Sequence, residues 1–163
     1  MFFLTGTSPP APGTVTRDAC TVSGRRALFF PLVNAFDVHT PGDGLDTPRL
    51  VYRDFQSFEF RADTLYASID GVRVRNLDPA TTPYRACAAP EAGCAPESFS
   101  LTFPGRNLFD LPAGTYAPAV QDGYYLLLRP LTRRWHTIKF GGTGNFNKAP
   151  FTQEITYRLR VMP

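Results

Sequence analysis

Residues Phe151 to Val161 alternate strictly, with Phe151, Ile155, Tyr157, Leu159 and Val161 on one side and Thr152, Glu154, Thr156, Arg158 and Arg160 on the other. A period of two over this length specifies a strand with one buried and one wet face. Residues 97–103 repeat the pattern, Phe99, Leu101 and Phe103 against Ser98, Ser100 and Thr102. Leu65, Ala67 and Ile69 alternate into Asp70-Gly71, followed by Val72-Arg73-Val74. Asp-Gly between two such runs is the chemistry of a two-residue hairpin turn. The runs Ala27–Val33 and Tyr124–Leu128 are apolar at successive positions, which predicts central strands covered on both faces.

Turn signals separate these runs: Pro9-Pro10, Pro41-Gly42-Asp43-Gly44, Pro104-Gly105, Pro112-Ala113-Gly114 and Gly141-Gly142. Short strands at this spacing predict an all-β, antiparallel β-sandwich or jelly-roll-like fold. One stretch departs from it. Between Pro48 and Arg61, the positions Leu50, Val51, Asp54, Phe55 and Phe58 follow helical spacing, so at most one short helix is expected near 48–60. The 163 residues hold no internal repeat and no linker, which predicts a single sandwich domain over 1–163. Its expected core is Phe29, Phe30, Leu32, Ile69, Phe99, Leu101, Leu126, Leu128, Ile138, Phe140, Ile155, Tyr157 and Leu159.

Composition agrees with strands. Charged residues are 19% of the chain, against 16 Pro, 13 Gly, 14 Phe and 7 Tyr, too few charges for a coiled coil or helical bundle. The net charge is +3, and the basic residues concentrate late: Arg129, Arg133, Arg134, Lys139, Lys148, Arg158 and Arg160 share their span with one acid, Glu154. No nucleic-acid-binding module is visible, so no nucleic-acid partner is expected. No run approaches the length of a membrane span.

Cys87 and Cys94 bracket a Pro- and Gly-containing turn, the setting of a short-loop disulfide and of an oxidising compartment. A zinc site would need two further ligands, and none lies nearby. Cys20 is left over, as a buried small hydrophobe or half of a bridge to another chain. Met1-Phe2-Phe3-Leu4 is too short an apolar run for a signal-peptide core. Set against the disulfide, this predicts a secreted, periplasmic or extracellular protein whose N-terminus is truncated here.

Several blocks resemble exported bacterial β-sandwich proteins of uncharacterised function. They are Phe3-Leu4-Thr5-Gly6-Thr7, Thr16-Arg17 with Cys20-Thr21-Val22, Ala27-Leu28-Phe29-Phe30-Pro31, Ile69-Asp70-Gly71, His136-Thr137-Ile138, and Phe151-Thr152-Gln153 with Thr156-Tyr157. The resemblance covers nearly the whole chain and implies an exported sandwich. It supplies no catalytic residue, and Lys139 stands where a second histidine would be expected.

Candidate chemistry falls in three places. Asp37, His39, Asp43 and Asp46 lie within one Gly- and Pro-rich loop, where oxygen ligands would suit Ca²⁺ and the imidazole a transition metal. The same Asp residues also serve as ordinary turn formers. Trp135, Tyr124 and Tyr125, with Tyr66 and Tyr116, offer aromatic surface for a sugar or another protein chain. His136 shares a face with Ile138 and Phe140 and reads as hydrogen-bonded structure rather than a base. No G-x-S-x-G elbow is present. The expected function is therefore an exported, non-catalytic sandwich acting in cell-surface binding or assembly, a homo-oligomer among its possible forms. The alternatives are a carbohydrate-binding module or a metal-dependent hydrolase built on the Asp37–Asp46 loop.

Overall fold

The computed structural model describes residues 1–7, 13–86 and 98–163. Among these it contains strands β1 (Phe2–Phe3), β2 (Thr14–Ser23), β3 (Leu28–Val38), β4 (Arg61–Ile69), β5 (Val72–Arg73), β6 (Arg85–Ala86), β7 (Phe99–Phe103), β8 (Gly114–Leu128), β9 (Trp135–Phe146) and β10 (Ala149–Met162), and one helix, α1 (Pro48–Ser57). The strands form two sheets. The first has the order β1-β3-β8-β6, with β7 also pairing β8, and the second has the order β2-β10-β9-β4-β5. The chain is an all-β sandwich with a single short helix. The pair Cys87 and Cys94 lies outside the described residues, and Cys20 on β2 is a free, half-buried thiol.

Two compact units divide the chain, one of residues 1–34, 60–85 and 123–163, the other of residues 35–59 and 86–122. Strands β3 and β8 supply residues to both. In the first unit the two sheets pack face to face. Phe30, Phe140, Leu4, Leu28, Leu32, Ile138, Ile155 and Leu159 are fully buried there, and the Phe30 and Phe140 rings lie 4.6 Å apart. In the second unit α1 buries Val51, Tyr52 and Phe55. Thr47 caps that helix by accepting from the Leu50 amide, and Pro48 opens it where a missing N–H costs nothing. Phe103 packs edge-on against Phe109 and Tyr116, and Phe36 against Phe109.

The pairings β4–β5, β4–β9, β9–β10 and β7–β8 are antiparallel, the first through the expected Asp70-Gly71 turn. Gly141-Gly142, expected as a turn, instead lies inside β9, and the β9–β10 turn falls at Asn147-Lys148, both at positive φ. Two pairings are parallel, however: β1 with β3 and β2 with β10. Nothing in a strand's own periodicity distinguishes the two directions. The Asp70-Gly71 hairpin forms with both residues at positive φ, 50° and 83°, the requirement of a type I′ turn.

The edges are short or interrupted. β1 bonds to β3 through Phe2 N–H to Ala27 O and Leu4 N–H to Phe29 O. The next rung needs an amide at Pro31, which has none. β2 carries a bulge, Asp18 and Ala19 facing Arg158 alone, with Ala19 at φ 60°. Both devices limit edge-to-edge pairing.

Three of the quoted blocks, around Thr5, Arg17 and Tyr157, meet in space. Tyr157 Oη accepts from the Thr5 amide at 3.0 Å. Arg17 donates to Thr5 O, to Gly6 O and to Tyr157 Oη. Gln153, buried on β10, accepts from the Thr7 amide at 3.2 Å and donates to Leu32 O on β3 at 2.8 Å. Gly6 leaves room for it: a Cβ there would stand 2.6 Å from Gln153 Oε1 and push that side chain aside. These blocks form a polar lock that fastens the Leu4–Thr7 segment to β2 and β10.

The expected core holds at Phe30, Leu32, Leu126, Ile138, Phe140, Ile155, Tyr157 and Leu159, with Leu128 packed partly buried against it. It does not hold at four positions. Phe29 faces outward, Ile69 is half-buried beside the turn, and Phe99 and Leu101 are half-buried on β7. The two apolar runs are likewise covered mainly on one face, although Val33 at the end of the first run is also buried. On β3 the residues Leu28, Phe30 and Leu32 point into the core, and on β8 Tyr124 and Leu126 do so, while Leu127 is 59% exposed.

Candidate functional site

The acidic loop lies wholly in the second unit. Asp37 ends β3's run into the loop, and its Oδ1 accepts from the Val38 amide at 2.8 Å. Asp43 acts as the loop's internal cap. One oxygen accepts from the Leu45 amide at 2.7 Å and faces His39 Nδ1 at 2.6 Å, and the other accepts from the Thr40 amide and hydroxyl. Slight desolvation works to raise its pKa, but the Thr40 and Leu45 amides and His39 hold it well below the ordinary carboxylate range. Asp46 is exposed. Among the described residues no three His, Cys, Asp or Glu side chains are placed to hold a metal together. The structure thus pairs His39 with Asp43 and does not bring Asp37 and Asp46 to them as a ligand set.

Asp37 has a different neighbour that the loop's sequence does not name. Its Oδ2 is buried, and Asp54 is the side chain placed to hydrogen-bond with the carboxyl. Burial raises its pKa, and the charges of Asp54, on α1, and of Asp43 raise it further, against the lowering effect of the Val38 amide. Asp54 was legible only as one position in the helical spacing of 50–58, where a carboxylate next to Phe55 marks the inner side of the helix.

A raised folded-state pKa means that Asp37 stabilises the fold only in acid. Its contribution is fully present below the unfolded value, near 3.8, and is lost as pH rises through the folded one. At neutral pH its ionised form is a liability. Asp37→Asn is therefore expected to raise the melting temperature at pH 7 and to lose that advantage below pH 4. Solvent screening at a half-exposed carboxyl keeps the gain below about 1 kcal/mol. Thermal melts of both proteins across pH check it, and a variant less stable at pH 7 would contradict it.

The aromatic candidates separate. Tyr124 is 3% exposed and belongs to the core, its hydroxyl donating to Pro79 O at 3.2 Å. Tyr125 is half-buried on the outer face of the first sheet. Trp135, at the start of β9, is 55% exposed on the outer face of the second. They do not make one sugar-stacking platform, because successive residues of β8 point to opposite faces. His136 is buried, with Nδ1 2.8 Å from Asp70 Oδ2 and Nε2 2.9 Å from Thr132 O. Asp70 also accepts from the Thr137 amide and Arg134. Desolvation works to raise the Asp70 pKa, yet Thr137, His136 and Arg134 hold it below the ordinary value. Histidine and aspartate together fasten the β4–β5 turn to β9.

No family model, curated protein or solved structure matches the chain. The site must then be read from its own surfaces, and the first sheet supplies the clearest one. Its outer face carries a cross-strand aromatic file. Phe3 of β1 meets Phe29 of β3 edge-on at 5.7 Å, and Phe29 stacks on Tyr125 of β8 at 5.4 Å with planes 5° apart. Phe3 is 63% exposed, and Leu127 continues the surface along β8 at 59%. Phe29 and Leu127 were missed as surface because their apolar runs read as doubly buried, and Phe3 was read only as part of a short N-terminal apolar run. The signal that finds them is parity: once Phe30 and Leu126 are assigned inward, Phe29, Tyr125 and Leu127 must point out.

Proposed function

We propose that the chain is an exported, non-catalytic β-sandwich module that acts in cell-surface binding or assembly through the outer face of its first sheet. The observation that supports the reading is the contiguous apolar surface of Phe3, Phe29, Tyr125 and Leu127. Exposed contiguous apolar surface is costly in water and marks contact sites. Aromatic residues dominate such contacts because they bury much area with few rotamers to fix. The edge devices at Pro31 and at the Asp18-Ala19 bulge argue for contact through the face rather than by strand addition. Export rests on the resemblance of the sequence blocks and on the expected Cys87–Cys94 pairing.

Sedimentation velocity of the purified protein and of Leu127→Glu tests it. The wild type should associate with further copies in a concentration-dependent way. The variant should remain monomeric at an unchanged melting temperature, since Leu127 contributes nothing to the core. A wild type that is monomeric at every concentration, or a variant that associates equally, would overturn assembly through this face.

A further inference from the structure

The opposite face of the sandwich has the reverse character. Outward positions of β9 and β10 pair in register as Trp135 with Arg160, Thr137 with Arg158 and Lys139 with Thr156. Lys139 in turn faces Ser68 of β4, which faces Arg73 of β5, while Thr156 faces Thr16 of β2. This gathers cations that lie far apart in sequence. Arg158 and Arg160, two residues apart on one strand, stand about 7 Å from each other, with Lys139 on the neighbouring strand diagonal to Arg158.

The acids on this face leave a positive surplus. Asp18 approaches Arg158 at 3.6 Å with both side chains at least 60% exposed, a pairing of little strength in water. Glu154 accepts from the Thr14 hydroxyl and lies beside Tyr66, whose phenol is pushed up to about 12 by burial and then by the Glu154 charge. No ion pair engages Arg73, Lys139 or Arg160 among the described residues.

We infer that this second face binds an acidic polysaccharide, a chain of sugars bearing carboxylate or sulfate groups. The charge surplus favours a polyanion. The exposed indole of Trp135 beside Arg160 supplies a stacking surface for one sugar ring next to a bidentate ligand for its acid group. The hydroxyl row Ser68, Thr156 and Thr16 on either side of Lys139 suits sugar hydroxyls. A lipid surface would instead require a broad run of apolar side chains, and the aromatic residues that the register places on this face are Trp135 and the half-buried Tyr66. The inference uses a different face from the assembly reading and does not depend on it.

Affinity electrophoresis in gels containing polygalacturonate, a neutral glucan or single-stranded DNA provides the test. The expected result is retardation by polygalacturonate alone. An Arg158→Ala/Arg160→Ala double variant should bind at least tenfold more weakly, and Trp135→Ala several-fold more weakly, both with unchanged melting temperature. Binding should also collapse as the ionic strength approaches about 1 M, where the screening length is about 3 Å. Leu127→Glu should leave polygalacturonate binding intact, which separates a failure of this inference from a failure of the assembly reading. Absence of retardation, equal retardation of the arginine variant, or tighter binding to DNA would overturn it.

Discussion

Phe140→Ala should destabilise the protein by about 3–5 kcal/mol in urea unfolding, as loss of a fully buried aromatic does. Phe140 is 0% exposed and sits between the Phe30 ring and the Tyr157 ring, whose centroids are 4.6 and 6.1 Å away. Its neighbours come from β3, β9 and β10, so a cavity there opens between the two sheets and cannot be closed by moving one side chain. Leu101→Ala is the informative contrast. The sequence pattern assigns Leu101 to the core, but the structure leaves it half-buried on β7, and its loss should cost only about 1 kcal/mol. Equal costs at the two positions would contradict the assignment of the core.

Gly141→Ala should be nearly as damaging, at about 3 kcal/mol or more, the upper range for forced overpacking. A Cβ at that position would stand 1.8 Å from Gln153 O on β10, with φ at +156°, and 3.0 Å from Tyr66 Oη. The obstacle is largely backbone, so β9 and β10 would have to part where they pair Gly141 with Glu154. Gly105→Ala meets nothing within 4 Å and should stay within about 0.5 kcal/mol of wild type. Chemical denaturation of the two variants side by side checks the difference.

The strands were readable because one physical rule governs them: a half-buried strand must alternate. At β10 the alternation of Ile155, Tyr157, Leu159 and Val161 specifies the inner face correctly, and the Asp70-Gly71 turn fixes the β4–β5 register. The helix was readable through spacing, with Pro48 at its first position. Alternation loses its information where both faces are apolar. That is why Phe29 looked like core and Leu127 looked covered, and why the outer face of the first sheet was invisible before strand parity was known.

Chemistry was harder to read than fold, because side chains near in sequence diverge and distant ones meet. Tyr124 and Tyr125 are adjacent and end on opposite faces of one strand. Asp37 and Asp46 share a loop without converging, whereas Asp37 and Asp54 become neighbours because α1 carries Asp54 back toward the end of β3. The basic bias between Arg129 and Arg160 was visible, but only the register of β9 with β10 turns Lys139, Arg158 and Arg160 into one surface. The blocks around Thr5, Arg17 and Tyr157 carried information of another kind. Arg17, Gln153 and Tyr157 are the parts of a hydrogen-bonded lock, and their role is to hold the N-terminal segment in place.

Sedimentation at low and at high ionic strength, with wild type and Leu127→Glu in parallel, tests most directly whether the apolar face of the first sheet is the contact surface. Apolar contacts are unscreened by salt, while contacts made by exposed charges weaken once the screening length falls to about 3 Å near 1 M. The account predicts that wild-type association persists or strengthens at 1 M salt and that Leu127→Glu is monomeric at both ionic strengths. Association that disappears in high salt and survives Leu127→Glu would contradict it, and would move the contact to the charged face of the second sheet.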